Sequence, residues 1–211
     1  MLIKKIRNLK FVIRNCNKGM TYVELIVVLS IFSVLSSVAI YNYGDFQSNV
    51  DVKNLASDIA LQVVKAQKDS LSGLLPLPPQ EVKTDWKPSY GVQLDLSKGE
   101  AKSLIYFVDA DNSGTFDGVD CIGECLNNIS ISKGSYISRV EVVYWEKGSP
   151  EAPKLDNLTI TFSRPNSGAV IKDNGGLIDP VYLNYASIAV SSSKGATSLI
   201  KVYASGRIQI N

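Results

Sequence analysis

Residues 18–43 read KGMTYVELIVVLSIFSVLSSVAIYNY, and this stretch decides the fold. The twenty residues between Glu24 and Asp45 contain no charged side chain. As an α-helix they would span roughly 30 Å, the thickness of a bilayer core. A cleaved secretory signal has a shorter apolar stretch of ~7–15 residues and then a small-residue cleavage site, and neither feature is present. The stretch therefore predicts a membrane-spanning helix, and a plain signal anchor is one interpretation of it.

The charge distribution around this stretch is asymmetric. Six of the 22 basic side chains precede it, with no acid among residues 1–19: Lys4, Lys5, Arg7, Lys10, Arg14 and Lys18. The rest of the chain therefore has 16 basic and 20 acidic side chains. A basic head before an apolar helix is typical of a chain whose positive end stays in the cytoplasm. The acidic remainder argues against a nucleic-acid-binding protein.

Glu24 is the feature that a plain signal anchor does not explain, because a carboxylate at the edge of an apolar helix is costly without a partner. Together with the preceding Gly19-Met20-Thr21-Tyr22-Val23, it resembles the class III signal of type IV pilins and type II secretion pseudopilins. In that family a basic leader ends in glycine, an apolar residue follows, and glutamate is fifth in the mature chain. Here Met20 stands where the family usually has phenylalanine, and the leader is longer than many.

The resemblance implies that a prepilin peptidase cuts between Gly19 and Met20 and methylates the new amino group of Met20. It gives Glu24 a role in assembly, since the amino group of a neighbouring subunit's Met20 can pair with its carboxylate. The implied partners are other pilin or pseudopilin subunits, the peptidase, an assembly platform and, before assembly, membrane lipid. The implied location is a single pass through the inner or cytoplasmic membrane, followed by an extracytoplasmic filament of a pilus or a type II secretion system.

Helical periodicity continues beyond the membrane stretch. Apolar residues recur at spacings of three and four: Val52, Leu55, Ile59, Val63 and Ala66. Gly73 and the proline-rich residues 76–79 end the pattern. The pattern predicts one helix from Met20 to about Leu71, and two helices with a break near Gly44 are the alternative.

From Ser89 onward the pattern changes to that of strands. Six segments are predicted: 90–96, 102–109, 136–145, 157–162, 181–190 and 197–204. The predicted fold class is α+β, with a long N-terminal helix packed on a C-terminal antiparallel sheet. The predicted regions are a cleaved leader, 1–19, a transmembrane and filament-core helix, 20–44, an amphipathic helix, 45–75, and a β-rich head, 76–211.

Residues 109–120 have the side-chain spacing of a calcium loop. Oxygen-bearing residues stand first, third, fifth, ninth and twelfth, glycine is sixth, and the seventh would offer its backbone carbonyl. The candidate ligands are Asp109, Asp111, Ser113, Thr115, Asp117 and Asp120. Hard oxygen ligands at this spacing favour Ca²⁺ over Mg²⁺, and the ion would have a structural role. A solvated acidic loop without metal is the alternative.

Two cysteines, Cys121 and Cys125, follow this loop, and Cys16 lies in the leader. In an oxidising exterior the two could form a small disulfide loop, which is the favoured interpretation, and free thiols are the alternative. A zinc site is disfavoured, because the chain has no histidine and no second cysteine pair to complete four ligands.

The residues FVDADNSGTFDGVD at 107–120 and IKVYASGRIQIN at 200–211 are similar to the globular domain of minor pseudopilins of the general secretion pathway protein H type. Some minor pilins of that subfamily bind DNA through a C-terminal Gly-Arg-x-Arg. Here the second arginine is missing, and Arg207 has only Lys194 and Lys201 near it in sequence, which is few cations for phosphate binding. A minor pilin that binds DNA or a surface ligand at a filament tip is thus the alternative function, and a solvated hairpin is the simpler interpretation.

The absence of histidine excludes serine triads and Cys-His dyads. An enzyme would have to use carboxylates alone, and no acid pair can be recognised from the sequence. We therefore predict that the chain is not an enzyme. Trp86, Tyr90, Tyr144 and Trp145 could form a carbohydrate platform, but aromatic residues in strands more often belong to a core.

Overall fold

The computed structural model describes residues 19–76, 88–118, 123–132, 134–145, 154–173, 176–179 and 181–211. Contacts divide the chain into two units, Met1–Tyr43 and Gly44–Asn211. Within the described residues there are one helix and ten strands. They are α1 Tyr22–Ser72, β1 Ser89–Asp95, β2 Ser103–Asp109, β3 Cys125–Ser130, β4 Ser135–Tyr144, β5 Asn157–Phe162, β6 Ala169–Asp173, β7 Gly176–Leu177, β8 Leu183–Ser192, β9 Thr197–Tyr203 and β10 Ile208–Ile210.

Both ends of α1 are capped, by Thr21 at the N-terminus and by Gly73 at the C-terminus. Thr21 precedes the helix, and its hydroxyl oxygen accepts a hydrogen bond from the backbone N–H of Glu24 at 3.3 Å. At the other end Gly73 has a φ of 65°. Its N–H donates to the carbonyl of Ser70, and the N–H of Leu74 donates to the carbonyl of Asp69. This pair of bonds is a Schellman motif, for which glycine is the favoured residue.

The strands form two antiparallel sheets, where the sequence analysis predicted one. Sheet A has the order β3-β2-β1-β5-β6-β7, and sheet B has the order β10-β9-β8-β4. All six predicted strands are confirmed within one or two residues at each end. Strands β3, β6 and β7 were not predicted, because their segments are short and have no clear alternation of apolar and polar residues. The predicted hairpin at the C-terminus is confirmed as the pairing of β9 with β10.

The core lies between one face of α1 and the sheets. Four residues of the predicted stripe are buried, Val52, Ile59, Val63 and Ala66, whereas Leu55 is only half-buried. Ala56 is also buried on this face. Leu158, Ile160 and Phe162 of β5 are buried against it. The Ser70 hydroxyl donates to the carbonyl of Phe162 at 2.7 Å, so a hydrogen bond fixes the end of the helix on the sheet. The prediction of a long helix packed on antiparallel strands is confirmed.

Candidate assembly segment and acidic loop

The start of α1 is exposed and well defined. Gly19 and Met20 precede the helix in a non-helical conformation, and a Cβ on Gly19 would meet no atom within 4 Å. Thr21 is the N-cap, which makes Glu24 the third residue of the first turn. A carboxylate there interacts favourably with the positive end of the helix dipole. The predicted cleavage point thus directly precedes an ordered helix start that holds the predicted assembly residue.

The first half of α1 is apolar and exposed. It contains the one candidate membrane span that the described residues offer, and its apolar window has none of its residues buried. Leu25, Val27 and Phe32 are representative, with 45%, 49% and 67% of their surface exposed. In the second half, by contrast, Val52, Ala56 and Val63 are fully buried. One helix therefore combines a segment with exposed apolar side chains and a segment that belongs to a packed core.

The acidic loop brings three carboxylates together. One carboxylate oxygen each from Asp109, Asp111 and Glu124 lies within 4.8 Å of the others. Asp109 is 1% exposed and Glu124 is 7% exposed, whereas Asp111 is open to solvent. Buried carboxylates that lie this close repel one another, so a cation that binds all three would relieve the repulsion. Hard oxygen ligands in a loop suit Ca²⁺.

The loop owes its shape to two left-handed residues. Asn112 and Gly114 have φ values of 69° and 70°. This conformation turns the backbone N–H groups toward Asp109, whose carboxylate accepts from Ser113 at 3.1 Å and from Gly114 at 3.0 Å. Glycine is favoured at the sixth position of the loop, because a side chain there would be strained at positive φ and its Cβ would meet the Lys172 side chain. Glycine at the sixth position of the predicted calcium loop is consistent with this geometry.

Glu124 is the cluster residue that the sequence analysis missed. It lies beyond the twelve-residue loop and comes close to Asp109 because β3 pairs with β2. The carbonyl of Glu124, directly before β3, accepts a hydrogen bond from the N–H of Val108 at 3.0 Å. Its carboxylate accepts from the N–H of Ala110 at 2.7 Å and from the N–H of Asp117 at 3.1 Å. Glu124 thus braces both ends of the loop.

The electrostatics of the cluster follow from burial. The pKa of Asp109 is raised from 3.8 to about 6, mainly by burial and also by the carboxylates of Glu124 and Asp111, while the N–H groups of Gly114 and Asn112 oppose the shift. Burial likewise raises the pKa of Glu124, against the hydrogen bonds from Asp117 and Ala110. The ionised cluster is therefore unfavourable without a cation.

Of the other predicted ligands, Ser113 and Asp117 contact the cluster through their backbone N–H groups, while their side chains have other partners. The Ser113 hydroxyl donates to the carbonyl oxygen of Thr115 at 3.1 Å, the atom that the loop pattern assigns to the metal. The Asp117 carboxylate accepts from the Thr115 hydroxyl at 3.4 Å and is not part of the described cluster. The Lys172 ammonium donates to the carbonyl of Ser113 at 2.5 Å and ties the loop to β6. Asp120 lies outside the described residues.

Cys125 is at the start of β3, where it is 5% exposed and disulfide-bonded. Cys121 and Cys16 lie outside the described residues, so the pairing of Cys121 with Cys125 stays a prediction. A bridge between these two would close a short loop directly beside the acidic cluster. It would restrict the loop that carries Glu124.

The C-terminal hairpin places its cations on aromatic rings. The Arg207 guanidinium lies 3.9 Å from the ring centre of Tyr203, and the Lys201 ammonium lies 4.9 Å from that of Tyr185. The two tyrosine rings are 5.4 Å apart. These contacts cover ring faces that would otherwise be available for stacking on bases. Of the residues considered for a carbohydrate platform, Tyr90 is buried, Trp145 is 67% exposed and Trp86 lies outside the described residues.

Comparisons with known proteins agree with the resemblance stated from residues 18–43. Two curated proteins of Pseudomonas aeruginosa, each described as a fimbrial protein, are 27% identical to this chain over 124 residues. The match covers 57% of this chain and 77% of each relative. The chain is type IV pilin-like. The long apolar α1 of this pilin-like chain fits that assignment. No protein-family model matches it, and no solved structure matches it.

Proposed function

We propose that this pilin-like chain is a membrane-anchored subunit of an extracytoplasmic filament, either a pilus or a type II secretion pseudopilus, and that it is not an enzyme. The observation that carries the proposal is the exposed apolar half of α1, joined in one helix to a half that is buried in the head. Apolar side chains without a partner need either lipid or other helices around them. A bilayer supplies the first before assembly, and a filament core supplies the second after it.

Processing of the N-terminus belongs to the same proposal. A prepilin peptidase cuts the accessible bond between Gly19 and Met20, and Met20 is methylated. The Glu24 carboxylate then pairs with the Met20 amino group of a neighbouring subunit, which compensates two charges that assembly buries. The helix N-cap at Thr21 supports this role, because it fixes the backbone that carries Glu24.

The test is intact mass and N-terminal sequencing of the protein from membranes and from sheared filaments of the native cell. We expect a chain that begins at methylated Met20. A chain that still begins at Met1 in both fractions would contradict the proposal and leave a signal-anchored surface domain. Gly19→Val is the matched variant, since no atom of the described residues lies within 4 Å of a Cβ at this position. We expect it to accumulate as a folded, uncut precursor.

We also propose that the acidic loop binds one Ca²⁺ through Asp109, Asp111 and Glu124. The support is the close approach of three carboxylates, two of them buried. The ion would be structural and would hold the loop on sheet A, where Phe116 packs against Phe107 with ring centres 5.6 Å apart. Isothermal titration of the full-length protein in detergent with CaCl₂ tests this binding, and MgCl₂ is expected to bind more weakly.

A further inference from the structure

The head contains a cleft beside α1, at the edge of sheet A. It encloses about 210 Å³ and is lined by α1, by the end of β3 and by the segment that leads into β4. Its apolar surface includes Leu55, Ile59 and Ile131, and its helix side carries the carboxylates of Asp51 and Asp58. All of these residues belong to the unit Gly44–Asn211. The cleft is separate from the acidic loop.

The described residues that line the cleft carry negative charge only. Among the described residues that line it there is no lysine or arginine. Asp51 accepts a hydrogen bond from the side-chain amide of Gln47 at 2.9 Å, which is a neutral donor. No described basic residue forms a salt bridge with Asp51 or Asp58, since the one such pair in the described chain joins Arg139 and Glu141. Two carboxylates beside an apolar floor suit a ligand that is both cationic and aliphatic.

A buried hydroxyl in the cleft lacks a partner. Ser135 is 5% exposed, it lines the cleft, and its Oγ has no hydrogen-bond partner in the described structure. An unsatisfied buried polar group costs free energy that a protein normally avoids. The hydroxyl is therefore suited to accept a hydrogen bond from a group that enters the cleft from outside the subunit.

We propose that this cleft receives a lysine side chain from a second copy of this chain. The methylenes of lysine match the apolar floor, and its ammonium has three donors for the carboxylates and the Ser135 hydroxyl. Copies of the chain carry exposed lysines on the head, among them Lys98, Lys102 and Lys194, so the charges are complementary. A contact between two different surfaces of identical subunits generates an open helical filament when its rotation does not close into a ring. The inference rests on the proposed filament function and adds a contact between heads.

The test is zero-length carbodiimide cross-linking of intact filaments assembled from a mixture of ¹⁴N- and ¹⁵N-labelled subunits. Peptide mass mapping then identifies which carboxylates are joined to which lysines, and isotope-mixed pairs identify links between copies. We expect Asp51 or Asp58 joined to a lysine of another copy. Links that form only within one chain, for example to Lys133, would overturn the proposal, and so would a link to a different protein.

Matched variants separate this contact from the filament function itself. Asp51→Asn with Asp58→Asn should abolish the link and make filaments dissociate at a salt concentration where wild type persists, with roughly two- to fivefold weaker contacts. Asp45→Asn, an exposed aspartate of the same helix outside the cleft, should behave as wild type. Unchanged salt resistance of the double variant would overturn the head contact alone. Failure of wild type to form any filament would overturn both proposals.

Ser135→Ala gives a second readout. If the Ser135 hydroxyl forms its hydrogen bond only with another subunit, Ser135→Ala should leave the melting temperature of the isolated full-length subunit unchanged or raise it, because the variant loses an unsatisfied buried group. The same change should weaken the filament. A lower melting temperature of the isolated subunit would mean that the hydroxyl has a partner within its own chain, and this would contradict the proposal.

Discussion

Asp109 carries a negative charge in a place that disfavours it. Its side chain is almost fully buried, its pKa is raised to about 6, and its strongest charged neighbour is another carboxylate, Glu124. Two kinds of cation can relieve such a cluster, a proton or a metal ion. Because both bind the same carboxylates, they compete, and the pH at which calcium is displaced depends on the raised pKa of Asp109 and on the calcium concentration.

The competition predicts opposite effects of acid in the presence and absence of calcium. Without calcium, Asp109 binds its proton more tightly when folded, with a pKa of about 6 against 3.8, so the stability of the head should rise as pH falls from 7 toward 4. With saturating calcium the carboxylates are held ionised, so the stabilisation by calcium should shrink as pH falls below about 6. Thermal unfolding of the full-length protein in detergent at pH 7 and 5, with CaCl₂ or a chelator, measures both. Asp109→Asn should flatten both dependences, and a calcium effect of equal size at both pH values would contradict the prediction.

Variants of Glu124 and Asp117 test which residues bind calcium, because Glu124 belongs to the cluster in the structure and Asp117 belongs only to the twelve-residue sequence pattern. Glu124→Gln removes a charge from the cluster and should lower calcium affinity roughly tenfold or more. Asp117→Asn removes a charge of the same loop outside the described cluster and should have a much smaller effect. Titration calorimetry of both variants gives the comparison. The reverse order of affinities would assign the site to the twelve-residue pattern instead.

Strand β3 shows what the sequence can and cannot predict. Helix α1 and the alternating strands follow from periodicity, because one buried face repeats along each element. The segment CLNNIS of β3 has no such repeat, since it is an edge strand whose residues are mostly exposed or half-buried. Its pairing with β2 depends on contacts distant in sequence, and that pairing is what brings Glu124 to Asp109. A local spacing pattern could find Asp109 and Asp111 but had no means of finding Glu124.

The second half of α1 contributes to stability through one face only. Ile59 is 3% exposed and lies in the core, whereas Leu61 is 61% exposed on the same helix. Ile59→Ala should lower the free energy of unfolding by about 2–5 kcal/mol, from lost apolar burial and the cavity that remains. Leu61→Ala, with the same kind of truncation, should change it by less than about 0.5 kcal/mol. Denaturant unfolding of the full-length variants in detergent tests the pair, and equal losses would contradict the assignment of the buried face.

The two halves of α1 lie in different environments. On the proposed function, the segment up to Tyr43 lies first in lipid and then among other helices, and its described side chains are mostly apolar and exposed. The segment from Gly44 onward has one apolar face that its own sheets bury. Glu24 is the acidic side chain that enters the apolar segment. In a filament core this carboxylate needs a cation, and in the monomer it lies at the exposed helix start.

Glu24→Gln should therefore separate processing from assembly. The variant keeps the Thr21 cap, the cut after Gly19 and the membrane anchor, because none of these uses the charge of Glu24. In a filament core, however, it would leave the Met20 amino group of the neighbouring subunit buried without its partner, which costs about 3–5 kcal/mol at each contact. We expect processed protein at normal levels in the membrane fraction and a loss of filaments of at least about a hundredfold in shear preparations. Glu100→Gln, an exposed glutamate of the head, is the control and should assemble as wild type. Normal filament yield from Glu24→Gln would remove the assembly role from this carboxylate while leaving the cleavage at Gly19 untouched.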